Sequence, residues 1–276
     1  MRLTVLIAFF LCGTTVALAG DAVITVVSYN IHHGEGTDGA LDLDRIADII
    51  LALEPDVVCL QEVDQGCART SGLDLPEEFG KRLNMDYRFG PNLDHDGGKY
   101  GNCTYSKLPI VDHVNFTIPF VEGGERRGCL RTTVEVIGLR VDVLNTHFDL
   151  LPAARVEQAA HVIESVRDVP TILAGDLNAT PDSKPLRVLL GAFMDTFPGG
   201  DSGNDPGRRR IDYVLVSEPL NTVSSRFVDT PSTRIASDHL PYVAQLALPA
   251  RDTALDRGIQ NQDDRIRKAI FPEDQE

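Results

Sequence analysis

Polar residues of catalytic type stand at the ends of apolar runs along this chain. Asn30 closes VITVVSYN, Glu62 falls in VVCLQEVD, Asn145 and His147 close VLNTH, and Asp176 and Asn178 follow ILA in GDLNATP. Asp212 opens IDYVLVS, and Asp238-His239 stand in SDHLP. An amide, carboxylate or imidazole flanked by apolar residues is costly to bury unpaired. Its repetition at run termini therefore implies convergence on one rim. Carboxylates and amide oxygens suit a hard divalent cation such as Mg2+, which takes few protein carboxylates and leaves places for water and phosphate. Histidines with carboxylate partners suit proton transfer near neutral pH. Singly each signal is weak, because an Asp after a strand usually serves a cap or turn. The ordered set carries the weight.

The elements that must hold these residues alternate between strand-like and helix-like patterns from residue 21 onward. The β-branched run 23–31 predicts a buried strand, and 42–53 a helix with Leu43, Ile46, Ile49, Ile50 and Leu53 on one face behind Asp42 as N-cap. A strand over 56–63 and a helix from Pro76 towards Asn84 follow. Strands are expected near 86–90, 100–106, 111–118, 129–137 and 140–147, with Gly138 turning between the last two. Residues 152–167 form the clearest amphipathic helix, opened by Pro152. A strand over 170–177, a short helix near 183–190 and strands near 211–217, 222–229 and 241–248 complete the pattern. Many neighbouring strands are joined by turns too short for a parallel crossover. That favours an α/β sandwich of mixed sheets with helices outside. No linker breaks the middle of the chain, so residues 20–250 read as one domain and 251–276 as a polar tail.

The ordered set NIHHG, LQEVD, YGN, NTHFD, GDLNATP, RIDYVLVS and SDHLP resembles the endonuclease/exonuclease/phosphatase superfamily over residues 24–248. The resemblance implies a deoxyribonuclease I-like four-layer α/β sandwich of two mixed sheets, with the site at one edge. It also implies roles for individual residues. Glu62 would be the principal metal carboxylate, with Asn30 beside it and Asp238 contributing directly or through water. The metal would be Mg2+, with Mn2+ or Ca2+ as alternatives. His239, oriented by Asp212, would contact the scissile phosphate or act as base. Asp176 would position or deprotonate the attacking water. Asn178 and His147 would bond non-bridging oxygens, assisted by Tyr100 or Asn102. The implied activity is hydrolysis of a phosphoester by in-line attack of water.

Other features bear on substrate and compartment. Residues 1–19 (MRLTVLIAFFLCGTTVALA) have the layout of a signal peptide ending in a small-residue site, which predicts a secreted or periplasmic protein without a membrane span in its mature part. The mature cysteines Cys59, Cys67, Cys103 and Cys129 lack zinc-site spacing. A Cys103–Cys129 disulfide or four free thiols are the two expectations, with Cys59 a small buried hydrophobe. The net charge is −15, or −16 once Arg2 leaves with the signal, and residues 21–64 hold ten acidic residues against Arg45 alone. Such acidity argues against long nucleic acid as a partner. The absence of Trp argues against a membrane-surface lipase. The expected substrate is therefore a phosphodiester of small or modest size, handled by a monomer. A secreted nuclease on DNA or RNA and a catalytically silent binding module are the alternatives. Arg126, Arg127, Arg131 and the run 208–210 are the basic clusters from which a phosphate contact is expected. His32 and His33 are open between the site and a solvated turn, and Asp94, His95 and Asp96 are expected in a solvated loop.

Overall fold

The β-branched and apolar runs pair into two six-stranded mixed sheets in the computed structural model, which describes residues 22–197 and 210–248. The leader, Arg208, Arg209 and the tail from 251 lie outside the described residues. The first sheet takes β1 (Ala22–Asn30), β2 (Val57–Gln65), β3 (Asp86–His95), β4 (Gly98–Ser106), β11 (Asn221–Phe227) and β12 (Tyr242–Leu248), in the order β11-β12-β1-β2-β4-β3. The second takes β5 (Ile110–Thr117), β6 (Gly128–Val136), β7 (Leu139–His147), β8 (Thr171–Asp176), β9 (Met194–Asp195) and β10 (Asp212–Val216), in the order β5-β6-β7-β8-β10-β9.

Each sheet contains one parallel pair, β1 with β2 and β7 with β8, and each pair is joined through a helix. The helices are α1 (Leu43–Leu51) and α3 (Pro152–Glu164), the crossovers that parallel neighbours require. The remaining pairs are antiparallel; β3–β4 and β6–β7 are tight hairpins, whereas β1–β12 and β8–β10 join strands distant in sequence. Three apolar layers follow. Val26, Val57, Val143, Ile172, Val214 and Ala244 pack between the sheets. Ile46, Ile50 and Phe79, from α1 and α2 (Leu75–Leu83), cover the outer face of the first sheet. Ala159, Val162, Leu186 and Leu189, from α3 and α4 (Lys184–Leu189), cover the second. The fold is the four-layer α/β sandwich of the deoxyribonuclease I type.

Three local readings change. The strand expected over 86–90 runs on to His95, because Asp96 and Gly97 both adopt positive φ and close a tight hairpin onto β4. His95 thus ends a strand rather than sitting in a loose loop. The short helix α5 (Pro231–Ala236) was not legible as a periodic pattern; a Thr230–Thr233 capping box and Pro231 in its first turn hold it. The Cys103–Cys129 pairing is corrected: both thiols are free and buried. Cys103 packs with the helices outside the first sheet and Cys129 with those outside the second, so the inter-sheet core separates them. Cys59, in the inter-sheet layer, is the small buried hydrophobe expected.

Candidate active site

Strand register brings the catalytic-type residues together. His147 ends β7, Asp176 ends β8 and Asp212 starts β10; Asp176 is the register partner of both others. On the first sheet, Asn30 ends β1 opposite Gln61, and a register shift between Leu60 and Val63 accommodates Glu62 at φ 59°. A bulge re-aims a side chain, and a non-glycine residue with positive φ persists only where its surroundings enforce it. Glu62 therefore leaves the alternation of β2 and turns toward Asn30.

Asp176 is the centre. Its Oδ2 accepts a hydrogen bond from Asn30 Nδ2 at 3.2 Å, and lies 3.4 Å from His147 Nε2 and 3.6 Å from His239 Nε2. Its Oδ1 accepts from the Asn178 backbone N–H at 2.9 Å, which places Asn178 at φ 46°. Asn30 Nδ2 also donates to Glu62 Oε1 at 2.9 Å, and Asn30 Oδ1 accepts from the His32 N–H at 3.1 Å. His239 Nδ1 meets Asp212 Oδ2 at 2.9 Å. The buried Ser237 hydroxyl donates to Asn30 O at 2.8 Å and accepts from His239 N–H at 3.1 Å, tying the SDH segment to the end of β1.

Burial and charge set the protonation states. Burial and the neighbouring Asp212 push Asp176 up to about 7. Burial alone would lower His239, but the charge and hydrogen bond of Asp212, with Asp176 and Asp238, raise it to about 10. Burial and the Arg127 cation hold His147 well below the ordinary imidazole range. Arg127 Nη1 lies 2.8 Å from His147 Nδ1. A guanidinium only donates, so Nδ1 must accept, and the neutral ring carries its proton on Nε2, toward Asp176.

Tyr100 is buried, and its hydroxyl is pushed up by that burial and by the charge of Glu62. Asp238 lies exposed at the mouth, where its charge acts on His239. Asn102 is buried and donates to Gly128 O at 3.2 Å and Asn145 O at 3.4 Å, so its amide joins the two sheets. Asn145, fully buried, does the same: it donates to Leu60 O at 3.1 Å and Cys103 O at 3.0 Å, and accepts from Gln61 Nε2 at 2.9 Å. Asn178 Nδ2 donates to Phe148 O at 3.0 Å, and His147 Nε2 lies 3.1 Å away. The expected phosphate donors are thus largely engaged within the protein.

The set fits a divalent cation. Among the described residues, the half-buried Glu62 accepts the Asn30 bond alone, and Asp212 Oδ1 is buried without a hydrogen-bond partner. Ligand atoms of Asp176, Asp212 and His239 lie within 4.8 Å of one another. A cation among these three would have to displace the proton that Asp212 holds on His239. A cation on Glu62 displaces no such proton; it would replace the bond from Asn30 Nδ2, and the amide would have to turn for its Oδ1 to ligate.

Two supports escaped sequence reading. Arg127 orients His147, although it resembled only part of a basic cluster. Ser237 had no signal beyond its place before Asp238. Arg210, expected near substrate, is buried, bonds Asp195 at 3.0 Å and lies over the Tyr213 ring at 4.3 Å.

Known proteins share this arrangement of elements. The pattern of the Endonuclease/Exonuclease/phosphatase family matches residues 27–239. The chain is 26% identical over 246 residues to the uncharacterized protein YbhP of Escherichia coli strain K12, covering 81% of this chain and 96% of that one. It is similar to the endonuclease/exonuclease/phosphatase structure from Beutenbergia cavernae, with 29% identity, a TM-score of 0.69, and 82% and 72% of the two chains covered. A mannosyl-6-phosphatase of Bacteroides thetaiotaomicron has the same fold, at 21% identity and a TM-score of 0.65, over 82% of this chain and all of that one. The chain belongs to the endonuclease/exonuclease/phosphatase family, whose members are hydrolases acting on phosphoesters.

Proposed function

We propose that the chain is an exported, divalent-metal-dependent phosphodiesterase that hydrolyses a substrate of small or modest size. The observation that carries this reading is the bonding around Asp176. One buried carboxylate receives Asn30, faces the His147 and His239 rings, and stands beside a half-exposed Glu62. The strongly acidic composition and the signal-like leader support the substrate size and the export.

Glu62 and Asn30 would hold the cation, with Asp238 at the mouth, and a bound cation supplies charge to offset that developing on the phosphate. Asp176, poised near neutrality, takes a proton from the attacking water. Its orientation is set by the Asn30 amide and the Asn178 N–H. His239, held in its protonated form by Asp212, offers an N–H to the phosphate or leaving oxygen. His147, neutral and fixed by Arg127, directs its Nε2 proton at Asp176 and so holds the carboxylate in place.

The test is a panel of bis-p-nitrophenyl phosphate, p-nitrophenyl phosphate, plasmid DNA, RNA, sphingomyelin and inositol phosphates, with Mg2+ or Mn2+ and with EDTA. Metal-dependent turnover of the small diester above the others is the expected result. Preferred cleavage of DNA or RNA, steeply lost with salt, would replace the reading by that of a nuclease. No metal-dependent turnover on any substrate would overturn it.

A further inference from the structure

Arg127 is 5% exposed, yet the groups it faces inside the site are neutral. Its Nη1 lies 2.8 Å from Nδ1 of the uncharged His147 ring, and it faces the Tyr100 hydroxyl, which burial keeps protonated. A buried guanidinium that meets no anion is costly. Among the described residues, Glu125 is the carboxylate that pairs with it, with Oε1 3.3 Å from Arg127 Nη2. The Glu125 side chain is 47% exposed, while the cation it holds lies inside.

The backbone around Glu125 is built to keep it there. Its N–H donates to Asp149 Oδ2 at 2.8 Å, and Asp149 Oδ1 accepts from Leu151 N–H at 2.8 Å. The preceding Gly124 leaves room for that carboxylate, since a Cβ there would collide with Asp149 Oδ2. Gln158, fully buried in α3, accepts from Asp149 N–H at 2.9 Å and donates to Pro119 O at 3.0 Å. The loop between β5 and β6 is thereby fastened to the loop that follows His147. An unbroken series of contacts runs from a surface carboxylate to the central one. Glu125 meets Arg127, Arg127 meets His147 Nδ1, and His147 Nε2 lies 3.4 Å from Asp176 Oδ2.

We propose that Glu125 is a positioning residue for the reaction: by pairing Arg127 Nη2 it holds Nη1 on His147 Nδ1, and so keeps the His147 proton on Nε2, facing Asp176. This rests on the phosphoesterase reading above. A guanidinium released from Glu125 is free to turn, and His147 Nδ1 is then open to a proton. The opposite tautomer aims a lone pair, not an N–H, at the Asp176 carboxylate. Glu125 acts through two residues and touches no substrate. Its effect therefore falls on the chemical step and not on substrate affinity.

The experiment compares wild type with Glu125→Ala, Glu125→Gln and Glu122→Ala, the last removing an exposed charge from the same loop. Nitrogen-15 spectra of the His147 ring report the tautomer, and kcat and KM are measured on bis-p-nitrophenyl phosphate with Mg2+. Thermal melts confirm folding. Wild type should show Nε2 protonated and Nδ1 bare at neutral pH. Glu125→Ala should turn the His147 signals into those of mixed tautomers and lower kcat by about 3- to 10-fold, the scale of one net hydrogen bond, with KM little changed. Glu125→Gln, whose amide oxygen accepts the same bond without the charge, should recover part of both. Glu122→Ala should alter neither. A wild-type tautomer in Glu125→Ala, a loss confined to KM, or an equal effect from Glu122→Ala would overturn the proposal. Should wild type turn over no phosphoester, the phosphoesterase reading falls, and the spectra still decide whether Glu125 sets the His147 tautomer.

Discussion

The two sides of the cleft are built on opposite principles. On the second sheet, His147, Asp176 and Asp212 are buried side by side, and most of their polar atoms are committed to one another, to Arg127 or to His239. On the first sheet, Glu62 is half-exposed and, among the described residues, accepts a single bond, from Asn30. The crowded side shifts protons, because neighbouring carboxylates and burial move Asp176 and His239 away from their ordinary values. The open side leaves carboxylate oxygen available, which is what a hard cation needs. One side is prepared for proton transfer and the other for a ligand.

The sharpest way to break that comparison is to neutralise one carboxylate on each side. Asp176→Asn and Glu62→Gln should each lower kcat/KM by about 10²–10⁴-fold. Raising Mg2+ should restore part of the Glu62→Gln loss and none of the Asp176→Asn loss. Identical metal titrations for the two variants would erase the distinction.

The next effect is on stability, where the sides meet. Asn145 bridges the sheets below the site, so Asn145→Ala leaves Leu60 O, Cys103 O and the Gln61 amide without it. A loss of about 2–5 kcal/mol is expected in urea unfolding, from unsatisfied buried groups and a small cavity. A loss below 1 kcal/mol would show that the sheets do not depend on this strut.

A smaller effect is expected from pH on the metal-free protein. His239 is raised from the ordinary histidine value of 6.5 to about 10, so its stabilisation is complete below 6.5 and disappears as pH climbs toward 10. Asp176, raised to about 7, favours its protonated form and adds a cost as pH rises from about 4 to 7. Both act in the same direction, so the thermal midpoint should fall as pH rises from 5 to 10. Asp212→Asn should flatten the upper part of that fall; an unchanged slope would remove Asp212 as its cause.

The smallest effect concerns the thiols, which lie away from both sides. Burial pushes Cys59 up to about 12 and Cys67 to about 11, and all four mature cysteines are buried. A thiol reagent should label none of them in the native protein and all four after unfolding without reductant. Three or fewer on unfolding would indicate a disulfide.

Much of the site was legible along the chain, because its residues interrupt apolar strands at their ends. Asn30, His147, Asp176 and Asp212 stand at strand ends and meet around Asp176; Glu62 joins them through Asn30 from a bulge inside β2, and His239 from the loop before β12. Asn102 shows the limit of such reading. It stands in the same polar signature, YGN, yet its amide is spent on carbonyls across the sheets. The two functions of an amide, catalytic donor and buried strut, leave the same letter in the sequence. Arg127 shows the converse. In the sequence it belongs to a basic cluster, and only the fold buries it against His147.

Spacing and composition carry the alternation of strands and helices, the polar residues that interrupt apolar runs and the acidic balance. Each is a local property of spacing or composition. Tertiary structure alone decided which strand ends became neighbours, how the bulge turns Glu62, which amides were consumed and which protons were held. Hydrogen bonds and charges act through space between residues as far apart as Asn30 and Asp176, and no local pattern encodes which partner each will find.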